Sequence, residues 1–304
     1  MSQLEISELF GHTTFASQLT SPGERRALYA SAKSGRILRI SPGCYVRAPY
    51  WTALSAEARH RARAHLAAAV DASLEFSHLT AASLWRLPVI GDWPHRPHVA
   101  GHPHGGARRS DSLARHSLGS DPHAVTIEGL RVTSLAVTAA QVAASEPFAT
   151  GVVIADAALH GHRGLDLLPA ALAVPKFHGQ SRALAVARFA NGRADRPGES
   201  ISRVSMLAAG LPIPELQVVI YGASGKRYVV DFYWLHLRLM GEFDGEIKYD
   251  DPEFLRGRTP AQALADEKRR EDDLRATHRG MSRWGWQLAN SPALLAQHLR
   301  LAGL

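Results

Sequence analysis

The feature that most constrains this chain is Val229-Val230-Asp231-Phe232-Tyr233-Trp234-Leu235, followed two residues later by Arg238-Leu239-Met240-Gly241-Glu242-Phe243-Asp244-Gly245. β-branched and aromatic residues dominate the first run, and these favour strands. Side chains alternate between the two faces of a strand. A turn at His236-Leu237 sets Leu235 opposite Arg238, Tyr233 opposite Met240 and Asp231 opposite Glu242. Asp231, Glu242 and Asp244 then share one face. Val230, Phe232, Trp234, Leu239 and Phe243 share the other, which packs against a core. Opposed Cβ atoms lie about 4.5–5.5 Å apart. Two carboxylates at ~4 Å repel by about 4 kcal/mol at an effective dielectric of roughly 20. Such crowding calls for a counter-ion or a raised pKa, and a hard divalent cation held by oxygen ligands resolves it. Acids at strand ends are also common as solvated turn residues, and His236-Leu237 is a poor two-residue turn. The spacing therefore leaves a metal centre and a solvated turn both open.

The flanking sequence supplies a context for the acids. Arg196-Pro197-Gly198 opens a predicted helix over 199–209, stopped by Gly210. Strands are predicted over 217–221, 228–235 and 238–244, a loop over 250–260, a charged helix over 261–277 and a last strand near 285–289. The order is αβββαβ. Glu199 on its helix, Val230-Asp231-Phe232, Gly241-Glu242-Phe243-Asp244-Gly245, Glu267-Lys268-Arg269-Arg270-Glu271 and the downstream Gly-Trp strand together resemble a PD-(D/E)XK nuclease-fold domain, nearest to its very-short-patch-repair-like group. The resemblance covers residues 182–304. It implies a restriction-endonuclease-like core, dependence on Mg²⁺ (or Mn²⁺) and phosphodiester hydrolysis. Asp231 falls at the family's first acid, Glu242 at its second, and Glu199 at the helix glutamate that helps hold metal. The third position of the acid-x-lysine motif is Asp244 rather than lysine. That departure leaves the lysine's role to Lys248 or Lys268, makes Asp244 an extra ligand, and leaves cleavage open. The helix 266–273 alternates acids and bases at helical spacing, which by itself describes a salt-bridged solvated face.

The chain carries a formal charge of +7, and its basic residues gather near the N-terminus. Arg25, Arg26, Lys33, Arg36, Arg39 and Arg47 stand against Glu24 between Pro22 and Tyr50. Ser21-Pro22-Gly23-Glu24 is a helix start, because proline suits the first turn and Glu24 complements the helix dipole. Gly35 ends the helix, and two short strands over 36–40 and 44–47 follow around Ser41-Pro42-Gly43. A helix and a β-wing of this kind put helix residues in the major groove and wing arginines on phosphates. The run Ser34-Gly35-Arg36-Ile37-Leu38-Arg39-Ile40-Ser41-Pro42-Gly43-Cys44-Tyr45-Val46 resembles the N-terminal winged helix of abortive-infection (AbiEi-like) antitoxin regulators. That likeness implies promoter DNA as a partner, with a cognate toxin as a second one. The six basic residues are the expected DNA-binding set.

Three blocks result: a winged-helix module over 1–73, a mixed α/β middle domain over 74–180 and the nuclease-like domain over 181–304. The fold class is α/β in the broad sense, an α+β multi-domain chain. One cysteine excludes an intrachain disulfide and a Cys₄ zinc site. No signal-like stretch and no run of about 18 apolar residues is present, so a soluble cytoplasmic protein with no membrane partner is expected. His95, His98, His102 and His104 have the turn composition of a solvated loop, Cys44 is a small buried residue, and Trp284 and Trp286 pack the last strand. Two functions from different classes follow: a Mg²⁺-dependent endonuclease guided by a DNA reader, and an antitoxin-type transcriptional regulator whose nuclease-like domain is silent.

Overall fold

The computed structural model describes residues 3–101, 112–116, 121–162, 164–245, 259–277 and 280–304, and the protein is mixed α/β. Its chain divides into two compact units. The first comprises Met1–Ala158 with Gly164–Phe189, the second Leu159–Arg163 with Ala190–Leu304. The blocks 1–73 and 74–180 thus gather into one unit, which also takes up residues to Phe189. The last helix of that unit buries Ala183 and Val186 among its neighbours.

The first unit begins with α1 (Gln3–Gly11), β1 (Thr13–Phe15), a 3₁₀ turn at Ala16–Gln18 and α2 (Pro22–Lys33). Ser21 and Glu24 form a reciprocal capping box at the start of α2. The hairpin strands β2 (Ile37–Ser41) and β3 (Cys44–Arg47) follow, and the sheet order is β1-β3-β2. Strand β1 has no counterpart in the sequence reading, because three residues are too few to show alternation. Leu9, Cys44, Val46, Trp51, Ala62 and Leu66 form the core beneath this sheet. Two helices follow the hairpin, α3 (Ala48–Ala53) and α4 (Ala56–Val70). Ser55 caps the second, its hydroxyl accepting from Ala58 N at 3.1 Å.

The rest of this unit is built on a five-stranded sheet, order β6-β5-β4-β8-β7: β4 (Glu75–Phe76), β5 (His98–Ala100), β6 (Ala114–His116), β7 (Val125–Ile127) and β8 (Leu130–Val132). Phe76, Val99 and Val132 are fully buried at its centre. Helices α5 (His78–Leu84), α6 (Leu135–Ser145), α7 (Phe148–Gly161), α8 (Leu168–Ala173) and α9 (Gln180–Phe189) complete it, α7 ending among the residues of the second unit.

The second unit carries α10 (Pro197–Ala208), β9 (Glu215–Tyr221), β10 (Arg227–Trp234), β11 (Leu239–Phe243), α11 (Pro260–Arg275) and β12 (Gly280–Trp284), then the helices α12 (Trp286–Ala289) and α13 (Pro292–Leu301). Its sheet order is β12-β11-β10-β9, with β12 parallel to β11 and the other pairs antiparallel. The last strand ends where the sequence reading began it. Trp284 stacks on Phe232 from the strand, but Gly285 closes the strand and Trp286 opens a helix. Tyr233 pairs with Met240 as the hairpin register requires. The connection is a 3₁₀ turn at Leu235–Leu237, closed by Arg238 at φ 50°. Alternation along β10 is broken, however. Val230 shares an apolar cluster with Tyr233, Met240 and Leu274, whereas Phe232 lies against Trp284. Opposite the break stands Gln217 with a left-handed φ of 51°, a bulge-like kink that re-aims side chains. Among the described residues, no helix is long and apolar enough to cross a membrane.

Candidate functional site

In the second unit the sequence-singled acids gather around the kink. Gly198, in the first turn of α10, lies so close to Phe243 that a Cβ there would collide with the ring. This contact seats Glu199 beside the sheet, where it is 2% exposed. Its Oε2 accepts from Asp195 N (3.1 Å) and from Gln217 Nε2 (3.1 Å). The same Gln217 amide donates to Asp231 Oδ1 at 3.2 Å, so one side chain ties the two acids together. Asp231 Oδ2 accepts from Phe243 N at 3.0 Å. Burial pushes the Glu199 carboxyl up to about 7, and the charge of Asp231 adds to the rise. Burial also raises the Asp231 pKa, against the Phe243 hydrogen bond and with help from Glu242.

Glu242 is buried and held by guanidinium groups. Arg270 of α11 forms a two-pronged pair with it, one prong at 3.1 Å to Oε2. Arg283, its register partner on the parallel strand β12, approaches Oε2 to 3.0 Å. Glu267 binds both arginines, at 3.0 Å from Arg270 Nη1 and in a direct pair with Arg283. Burial raises the Asp244 pKa; Arg283, 3.9 Å away, lowers it, while the nearby charge of Glu242 raises it. Lys268 is exposed, and the base that α11 aims at the acids is Arg270. Lys248 lies outside the described residues. Arg269–Asp266 and Arg275–Glu271 are the outward salt bridges that alternating charges on a helix suggest.

These contacts decide how crowding is relieved. Among the described residues, no group of three or more His, Cys, Asp and Glu side chains is arranged to hold a metal ion. Both oxygens of Glu242 face arginine, and both oxygens of Asp231 accept N–H donors. A hard cation needs several free, charged oxygens, and this donor set does not fit one as it stands. Arg270, Arg283 and the raised pKa of Glu199 supply the relief instead. Sequence reasoning missed Gln217 and Arg283. Nothing in the sequence marks a left-handed residue inside a strand. Arg283 was hidden by placing the final strand five residues too late.

In the first unit, Arg25, Arg26, Lys33, Arg36, Arg39 and Arg47 are all exposed. Arg25, Tyr29 and Lys33 follow one another at i,i+4 on α2 with Arg26 beside them, while Leu28 faces the core. Arg39 pairs with Tyr45 and Arg47 with Ile37, so both arginines share the hairpin face whose Tyr45 ring meets Tyr29 edge-on. Arg36 bonds back to Ser34 Oγ at 3.1 Å and Ser31 Oγ at 3.4 Å. Glu24 is committed to its cap, accepting from Thr20 N and Ser21 N.

The histidine tract departs from a solvated loop at one member. His95 is exposed, and His102 and His104 lie outside the described residues. His98 sits on β5 and joins His78 and His116. The His78 and His116 rings stack at 3.5 Å, and His98 lies 4.9 Å from His116. Burial first, then the neighbouring imidazoles, pulls His78 down to about 2 and His98 to about 4. His78 lies on α5 and His116 on β6, so only the fold brings them to His98. Cys44 is fully buried, and burial pushes its thiol up to about 11.

No family model matches the chain. Over 72 residues, 23% of this chain, the sequence is 43% identical to the uncharacterised protein MT2308 of Mycobacterium tuberculosis strain CDC 1551 / Oshkosh. It matches Rv2248 of strain H37Rv, also uncharacterised, to the same degree. The match spans 27% of the length of each relative.

Proposed function

We propose that this chain is a DNA-binding protein of the antitoxin-regulator type, with a winged-helix reader over residues 1–73 and a restriction-endonuclease-like domain over 181–304 that does not cut. The observation that carries the reading is the basic face of α2 and the β2–β3 hairpin. Six exposed bases lie on or between α2 and the hairpin, whose Tyr29 and Tyr45 rings meet, and the one acid among them is engaged in a helix cap. The order helix, short strand, turn, helix, two-stranded wing, with β1 on β3, supports the winged-helix assignment. Double-stranded DNA is the partner this face suits, through phosphate contacts from Arg39 and Arg47. A toxin would be a second, protein partner.

The silent character of the second domain rests on Arg270 and Arg283, which occupy Glu242, and on Asp244 at the family's lysine position. One observation favours the hydrolase reading in its place. Glu199 and Asp231 are buried acids with raised pKa values, and perturbed acids gather at functional sites. In that reading Asp231, Glu242, Glu199 and Asp244 hold Mg²⁺ or Mn²⁺, and Lys248 or Lys268 assists.

A mobility-shift titration on a duplex of about two helical turns tests the reader. Binding should weaken steeply between 50 and 200 mM salt, and replacing Arg39 and Arg47 by alanine should lower the slope of log K against log salt by about 0.9 each. No shift at 50 mM salt, or an unchanged slope, refutes it. Incubation of the same duplex with Mg²⁺ tests the second domain. Cutting that EDTA and Asp231→Ala both abolish would replace silence with hydrolysis and leave the reader standing.

A further inference from the structure

The first unit encloses a cavity of about 470 Å³, a size typical of small-molecule sites. The hairpin turn at Ser41-Pro42, α4 and the strand β6 contribute to its wall. Leu66, Leu74 and Leu113 give it an apolar side. Arg63, Arg96 and Arg115 line it as well. Among the described residues none is within salt-bridge distance of a carboxylate, and Arg115 acts on Asp71 only through its charge at longer range. Arg63 lies over the Trp51 ring at 4.8 Å, a contact that leaves its N–H donors available. Asp71 is the one carboxylate among the described lining residues, and its Oδ1 already accepts from Ser73 N at 3.0 Å and Ser73 Oγ at 2.5 Å. Three guanidinium charges less one carboxylate leave the lining at +2 with His95 neutral.

We propose that this cavity binds a small phosphate monoester carrying a short apolar body. A phosphate monoester holds about −1.5 to −2 charge near neutral pH, which matches the lining, where a monoanionic carboxylate leaves it uncompensated. Guanidinium forks suit phosphate oxygens, and the leucine side removes an alkyl or aryl body from water. Neither element depends on DNA binding, so the site stands or falls apart from the reader function.

Calorimetry on the full chain with octyl phosphate tests the assignment, with inorganic phosphate and octyl glucoside as single-feature controls. Octyl phosphate should bind one-to-one and at least tenfold more tightly than either control. Arg96→Gln combined with Arg115→Gln should weaken it at least tenfold, and both arginines are exposed, so the fold survives their loss. Leu113→Trp, which fills the apolar side and leaves every arginine in place, should weaken binding by a similar factor. Equal affinity for all three probes overturns the proposal, as does binding that ignores both variants. Displacement of octyl phosphate by a short DNA duplex also overturns it, because the arginines would then belong to a surface for the nucleic acid backbone.

Discussion

In the first unit three imidazoles crowd together with no charge among them. The His78 and His116 rings stack, His98 lies against both, and among the described residues the buried His98 Nδ1 and His116 Nε2 have no hydrogen-bond partner. In the second unit Glu242 and Glu267 crowd around Arg270 and Arg283, while Glu199 and Asp231 share the amide of Gln217. Both regions bury titratable groups, and they avoid the cost of an isolated buried charge by different routes. The histidines stay neutral. The Glu242 cluster neutralises itself pairwise, and burial lifts the Glu199 carboxyl beside it to about 7. The two units should therefore answer changes in pH with opposite signs.

The largest effect should come from breaking the pairing. Glu242→Leu leaves Arg270 and Arg283 partly buried against Glu267 and the more distant Asp244, and loss of one member of a buried ion cluster costs about 3 kcal/mol. Amide hydrogen exchange in α10, read with and without the substitution, measures it. Adding Arg270→Leu and Arg283→Leu should recover most of the loss, since apolar replacement of a whole buried cluster is close to neutral. A loss below about 1 kcal/mol for the single variant would mean that the arginines are not the counter-charge.

Acid should act next, and on the other unit. The pKa of His78 in the folded chain is about 2, below its ordinary value of 6.5. The unfolded chain therefore takes up the proton first. Stability is complete above about pH 6.5 and falls as pH drops from there toward the folded pKa values of His98, about 4, and His78. At pH 4.5, two units below 6.5, the share of the loss due to His78 should be about 2.7 kcal/mol, read from amide exchange in α6. His78→Phe should remove that share and leave the part due to His98. A profile unchanged between pH 7 and 4.5 would show that the imidazoles protonate freely in the folded state.

The smallest effect has the reverse sign. Glu199 is held up at about 7 against an ordinary 4.5. Its contribution is fully favourable below pH 4.5 and declines as pH rises through 7. Glu199→Gln keeps an acceptor for Asp195 N and carries no proton to lose. It should stabilise the second unit by about 2 kcal/mol at pH 6 and by far less at pH 4.5. Equal effects at both values would assign the change to packing rather than to charge.

The sequence carried local structure well where a few adjacent residues decide it. Ser21 with Glu24, the Pro42-Gly43 turn and the register of Tyr233 on Met240 are all of this kind. It also placed Asp231 and Glu242 near each other, through the short connection between β10 and β11 rather than through alternation, which breaks along β10. What it did not carry is long-range or conformationally rare. The arginine clamp needs a parallel strand that returns after α11, so Arg283 meets Glu242 only through the sheet order. The bridge between Glu199 and Asp231 needs a left-handed Gln217, a conformation that its residue type disfavours. The imidazole stack draws one ring from a helix and two from strands, and no spacing in the chain signals it.

The parallel return of β12 also bears on how the protein is made. Translation delivers Glu242 well before Arg270 and later still Arg283, so a nascent hairpin leaves the ribosome with its acids unmatched. Until the crossover helix and its strand follow, repulsion should keep that hairpin from closing into its final form. The hairpin of the second unit is thus set to close only after β12 has been made.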